Sequence, residues 1–219
     1  MPRRRVTDLL FIRHGETDWN RQQRFQGQID VPLNATGRAQ ADRLATRLAA
    51  ERYDAIFTSD LGRARETAAP LAATWALAPV VVPGLREQSF GVWEGLDVPT
   101  IKDHHGAMWQ DWLQHHGDFA LPGGESLRQF HTRVLAAVQQ IAHAAAGQRL
   151  AIVTHGGVLD MLWRTAHGLS LDGLRACEIP NTGLNRLRWV EGTLHIDNWA
   201  DDAHLAGMPA QPNTVAGER

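Results

Sequence analysis

Two stretches of the 219-residue chain share a pattern that could do chemistry: Phe11-Ile12-Arg13-His14-Gly15 and Val153-Thr154-His155-Gly156 each run apolar, then histidine, then glycine. An apolar run of this kind reads as a buried strand, and the glycine lets the backbone turn sharply where the strand stops. In open sheets covered by helices, ligands bind outside the carboxyl ends of the strands. His14 and His155, 141 residues apart, could therefore meet at one sheet edge. Arg13 adjoins the first. Arg63 falls in the first turn of the helix after a second strand, where backbone N–H groups favour anions. Two guanidiniums and two imidazoles around one point suit a phosphate dianion, because guanidinium forks match phosphate oxygens.

Such a pocket could work covalently. A neutral imidazole is a good nucleophile toward phosphorus, and a covalent intermediate splits one hard displacement into two easier ones. Neighbouring arginines disfavour imidazolium, and a carbonyl or carboxylate bonded to the other ring nitrogen would fix the tautomer. The leaving alkoxide needs a proton, which a carboxylic acid could give and later take back from attacking water. Glu87, just after a third strand in Leu85-Arg86-Glu87, is the best candidate; Glu16 and Asp60 compete less well, since helix capping explains Asp60 equally. Each residue alone has a plainer reading. Either histidine could be satisfied at its strand end, Arg63 could pair with Asp60 or Glu66, and Glu87 could be a surface carboxylate. The combination at matching element ends carries the argument.

The elements that must position these groups alternate. Strands are expected over 6–12, 53–58, 80–82 and 150–154. Helices are expected from Thr36 or Asn34 to about Ala50, from the capping pair Ser59-Asp60 through Arg63 to Trp75, from Glu125-Ser126 onward, and from His155-Gly156-Gly157 to about Gly168. The third of these is the clearest, with Leu127, Phe130, Val134, Val138, Ile141 and Ala145 stepping by three and four. Residues 184–190 and 193–199 read as a hairpin, which would offer an edge for a homodimer. The order implies an α/β three-layer sandwich: a mostly parallel central sheet, helices on both faces, and a C-terminal hairpin. The whole of 1–219 reads as one domain. Residues 96–124, with Trp109, Trp112 and the pairs His104-His105 and His115-His116, read as a lid insertion; the tail from about 207 reads as frayed. The histidine pairs lack carboxylate or thiol partners at metal-site spacing, so no metal site is read there.

Composition sets the surroundings. The formal charge is −2, so nothing draws the whole chain to nucleic acid or an anionic membrane, and a small anion must be attracted locally. One cysteine, Cys177, excludes an intrachain disulfide and suits a reducing compartment. The basic start Arg3-Arg4-Arg5 is followed by too short an apolar run for an export signal, and no segment has the ~20 apolar residues that span a bilayer. A cytoplasmic location is expected.

Arg13-His14-Gly15-Glu16-Thr17 followed by Asn20 resembles the signature of the histidine phosphatase superfamily, the phosphoglycerate mutase-like fold. Further elements match in order: Gln26-Gly27, Leu33-Asn34-Ala35-Thr36-Gly37, Ser59-Asp60-Leu61-Gly62-Arg63-Ala64, Arg86-Glu87, Gly123-Gly124-Glu125-Ser126 and Val153-Thr154-His155-Gly156-Gly157. The resemblance covers roughly residues 8–200. It implies that His14 becomes phosphorylated, that Arg13, Arg63 and His155 hold the phosphoryl group with Gly156 beside them, and that Glu87 is the acid and base. It further implies that Asn20, Gln26 and Gly27 line the pocket, and that neither metal nor cofactor is used. Phe90-Gly91-Val92-Trp93-Glu94-Gly95 and a short insertion are similar to the branch with alpha-ribazole and broad-specificity phosphatases. The expectation is a phosphomonoesterase for small phosphorylated metabolites. A bisphosphate-primed phosphoglycerate mutase is the first alternative and a non-catalytic phospho-ligand or protein-binding module the second.

Overall fold

A computed structural model describes residues 6–211. Strand β1 (Val6–Arg13) lies inside a six-stranded sheet of order β3-β2-β4-β1-β5-β6, with β2 at Ala55–Thr58, β3 at Val80–Val81, β4 at Arg149–Thr154, β5 at Leu184–Val190 and β6 at Thr193–Asp201. The first four strands run parallel; β5 is antiparallel to both β1 and β6. The sheet is therefore the mixed, mostly parallel one that the alternation implied.

Period-two alternation in the central strands divides the core between two faces. Leu9 and Phe11 of β1, with Leu150 and Ile152 of β4, pack against α6 (Leu127–Ala144) and α7 (Gly156–His167). Leu10 and Ile12, with Ala151 and Val153, pack against α2 (Ala35–Leu48) and α3 (Gly62–Trp75). Strands apolar on both faces must be covered on both, which gives the three layers. Helix α6 starts on a capping box, Ser126 with Gln129, and buries Phe130, Val134, Val138 and Ile141 along the stripe read from the sequence.

The remaining helices are short. Helix α1 (Asp18–Arg21) follows β1; α4 (Val98–His104) and α5 (Gly106–Leu113) occupy the segment between β3 and α6. These last two enclose a separate aromatic core of Trp93, Ile101, Trp109 and Leu121, with Phe25, Phe90 and Trp112 packed against it. Trp93 is wholly buried, which makes it packing rather than recognition.

Several expectations need correction. Asn34, not Thr36, caps α2, accepting from the Gly37 N–H. The pair Ser59-Asp60 caps nothing: α3 begins after Leu61, Ser59 Oγ accepts from the Leu61 N–H, and Asp60 pairs with Arg86. The start of the C-terminal segment is tied down, because Gln211 Oε1 accepts from the Asn181 N–H at 2.6 Å. Arg3-Arg4-Arg5 and residues 212–219 lie outside the described residues. No helix among the described residues is long and apolar enough to cross a membrane.

Candidate active site

The parallel register of β1 and β4 sets Arg13 opposite Thr154. The next residue on each strand is a histidine, so His14 and His155 emerge side by side at the carboxyl edge, their ring centroids 5.2 Å apart. The His14 N–H donates to Thr154 O at 2.8 Å, extending the ladder by one rung. Two segments distant in sequence thus meet because strand pairing leaves them no other place.

The glycines serve a different purpose from the one expected. Neither Gly15 nor Gly156 adopts a positive φ, so neither supplies a left-handed turn. Gly15 permits close approach instead: a Cβ there would lie 2.6 Å from Gly37 O at the start of α2. Gly157 does the same for Glu87, whose carboxylate a Cβ would strike.

His14 is almost fully buried, 2% exposed. Its Nδ1 lies 2.7 Å from Gly15 O. A carbonyl can only accept, so Nδ1 carries the hydrogen and Nε2 keeps the lone pair. Burial, then the charges of Arg63 and Arg13, hold the ring well below the ordinary histidine range, and it is neutral at physiological pH. His155 is depressed for the same reasons: burial first, then Arg63. Both its ring nitrogens are buried without a partner among the described residues, and the ring stands behind the cavity surface rather than on it.

Arg13 is anchored by Nη1 donating to Ile179 O at 2.7 Å. Arg63 donates to Gly27 O at 2.7 Å and Ile29 O at 2.8 Å, which ties α3 to the loop after α1. Burial lowers each guanidinium to about 10, still fully charged at neutral pH. Each keeps a buried Nε without a hydrogen-bond partner among the described residues. The N-terminus of α3 is not open as expected, since the Gly62 N–H donates to Asp30 at 2.6 Å.

Glu87 is the carboxylate on the cavity wall. Its two oxygens accept from the Gly157 N–H at 3.0 Å, in the first turn of α7, and from the Gln88 N–H at 2.8 Å. The competitors are engaged elsewhere: Glu16 is buried against Arg21 and Asn34, and the partly exposed Asp60 pairs with Arg86. Asn20, Gln26 and Gly27 all line the cavity with Arg13, His14, Arg63, Glu87 and Gly156. Thr17 Oγ1 donates to Gln26 Oε1 at 2.9 Å, and the Thr17 N–H donates to Asn20 Oδ1, which fixes both amides.

The cavity measures about 540 Å³. Its wall combines the arginines with the apolar side chains of Phe25, Phe90, Trp109, Trp112, Leu113 and Leu174. Among the described residues no three His, Cys, Asp or Glu side chains are placed to hold a metal ion. The arrangement can neutralise a phosphate dianion, present a lone pair to phosphorus, and exchange a proton with an ester oxygen.

Sequence reasoning missed three contributors. Thr67 Oγ1 accepts from the Gly15 N–H at 2.9 Å. Asn181 Nδ2 donates to His14 O at 2.8 Å, held there by Thr182, a β-branched residue at φ 55° whose N–H donates to Arg13 O. Arg175 lines the cavity from the loop before β5. Each acts across many residues, and nothing in its local sequence marks it.

Fold and cavity together define an α/β protein with a cation-lined site at the carboxyl edge of its central strands. A profile of the histidine phosphatase superfamily (branch 1) matches residues 9–202, and the chain belongs to that superfamily. It is 36% identical to a metal-independent phosphoserine phosphatase of Arabidopsis thaliana over 93% of this chain and 85% of that protein. It is 33% identical to a probable phosphoglycerate mutase of Yersinia enterocolitica over 94% of this chain and 97% of that one. Among solved structures, Bacillus stearothermophilus YhfR superposes with a TM-score of 0.84 at 35% identity, covering 91% of this chain and 99% of that chain. A mycobacterial glucosyl-3-phosphoglycerate phosphatase superposes at 0.76 with 28% identity, covering 90% and 99%.

Proposed function

We propose that this chain is a metal-independent phosphomonoesterase working through a phosphohistidine on His14. One observation carries the reading: the Nδ1–H of His14 is fixed to Gly15 O, so Nε2 carries the lone pair in a cavity lined by one carboxylate and by four guanidiniums, of which Arg63 and Arg13 act on the ring. Nε2 forms the bond to phosphorus while the ester P–O bond breaks, and Glu87 gives its proton to the departing alkoxide. Water then attacks the phosphohistidine, returns a proton to Glu87 and releases inorganic phosphate with neutral His14. Arg13 and Arg63 take the charge on the equatorial oxygens, where preorganised donors contribute most, and the His155 ring packs beside His14 behind that surface. Asn20, Gln26, Gly27 and Gly156 complete the binding surface.

Relatives of similar identity carry phosphatase and mutase names, so the choice between hydrolysis and transfer rests on this cavity. A mutase must keep water from its phosphoenzyme. Here α4 and α5 leave about 540 Å³, more than a glycerate fills, and water can follow the alcohol in. The test is hydrolysis of p-nitrophenyl phosphate in chelator. Activity should survive chelation, should fall at least about 10³-fold in His14→Ala, and should leave acid-labile, base-stable phosphate on trapped protein. Unchanged activity in His14→Ala removes the nucleophile. Mutase flux dependent on a bisphosphate primer and exceeding hydrolysis would favour the transferase.

A further inference from the structure

The loop between α7 and β5, residues 168–183, has no regular structure of its own, yet one side chain fixes its first half. Arg164, 5% exposed on α7, donates to Ser170 O at 2.6 Å, Asp172 O at 3.1 Å, and Gly173 O and Leu174 O at 2.9 Å each. Its Nε donates to Asp160 Oδ2 at 3.2 Å, one turn back on the same helix. Two further bonds pin the loop to the segment beyond α5: the Gly117 N–H donates to Asp172, and the Gly173 N–H donates to His115 O. Desolvating a guanidinium and a carboxylate is unfavourable. The consequence of this pair is a loop held against the cavity, with Gly173, Leu174 and Arg175 forming a continuous stretch of wall.

Arg175 is the chemically distinctive member. Its Nε lies 3.9 Å from Asp160 Oδ1, and its side chain is about one-fifth exposed, at 21%. The position a Cβ on Gly156 would take lies 3.8 Å from Arg175 Nη1 and 3.5 Å from Arg13 Nε, so the two guanidiniums are neighbours. The charges acting on His14 and His155 include those of Arg63 and Arg13, whereas Arg175 acts on Arg13. Arg175 Nη1 and Arg13 Nε thus flank one point beside Gly156, both on the cavity wall. Arg24, also on the wall, is directed at Gly95 O and Gln22.

We propose that Arg175 determines specificity by taking a second oxyanion, a carboxylate or a further phosphate, on the alcohol portion of the substrate. A planar fork held by its loop is suited to such a group, and the cavity extends well past the room one phosphate needs. The inference rests on the phosphomonoesterase reading and names the substrate class of that site.

The test compares phosphoglycerate and glycerol bisphosphate with glycerol phosphate, which lacks the second anion. In Arg175→Met, kcat/KM should fall about tenfold for the two doubly anionic esters, through KM, and less than threefold for glycerol phosphate. Arg175→Lys should restore part of the loss. Loss for one doubly anionic ester alone tells carboxylate from phosphate. Equal loss on all three, or none on the doubly anionic pair, overturns the proposal. Calorimetric binding of the same compounds to His14→Ala separates it from the catalytic reading. A split in affinity abolished by Arg175→Met supports the anion site even where the wild type turns nothing over, and the absence of any split ends it.

Discussion

Protonating His14 would add a third positive charge beside Arg13 and Arg63 in a site from which most water is excluded, and burial opposes that charge further. The groups that would bind phosphate therefore also keep the proposed nucleophile neutral. The acid limb of the kcat/KM profile should lie below the ordinary histidine value near 6.5, because activity is lost only as pH falls through the depressed value. Arg63→Met removes the largest charge acting on the ring, so this limb should move to higher pH; a limb that stays put or moves lower would show that Arg63 does not act on His14. Glu87 has a separate signature. Glu87→Gln should slow alkyl phosphates by about 10²–10⁴-fold and aryl phosphates much less, since a phenolate departs without a proton. Equal slowing of both would remove Glu87 as the acid.

At the scale of elements, α7 supports both ends of the proposed chemistry. His155 precedes it, its first turn holds Glu87 through the Gly157 N–H, and Arg164 lower down fixes the loop carrying Arg175. Gly157 has room for a hydrogen and nothing larger, because a Cβ would meet the Glu87 carboxylate. Gly157→Ala should therefore reproduce the alkyl-selective slowing of Glu87→Gln, with a modest fall in melting temperature because the same Cβ would come within 3.0 Å of the buried Phe130 ring. Loss of folding in place of loss of turnover would contradict this. The apolar stripe of α6 and its start at Ser126 were legible along the chain, as were the four parallel strands, because a period of 3.6 or of 2 is a local property. The cap of α3 was not. Ser59-Asp60 is a normal capping pair by composition, and Arg86, 26 residues on from Asp60, claims the carboxylate instead.

At the scale of the whole molecule, the site lowers stability in acid. His14 and His155 are held neutral when folded and titrate near 6.5 when unfolded, so below that pH the unfolded chain binds more protons. Their contribution is fully present above pH 6.5 and declines as pH falls below it, by about 1.4 kcal/mol per unit for each ring. Urea unfolding of His155→Asn should show a slope against pH shallower by about that amount below 6.5; an identical slope would mean that the folded ring takes up protons freely.

The chain order alone carried the sandwich, the two strand-end histidines, both site arginines and the carboxylate after the third strand, because each sits at a fixed offset from a periodic element. Three matters needed three dimensions. The tautomer of His14 depends on where Gly15 O points; the purpose of Gly15 and Gly157 depends on which backbone or carboxylate crowds them; and Asn181 and Arg175 reach the cavity only through contacts spanning much of the chain. Periodicity records which face of an element is apolar, whereas packing sets which distant loop settles over it, and the reach of a polar side chain has no signature in its immediate neighbours.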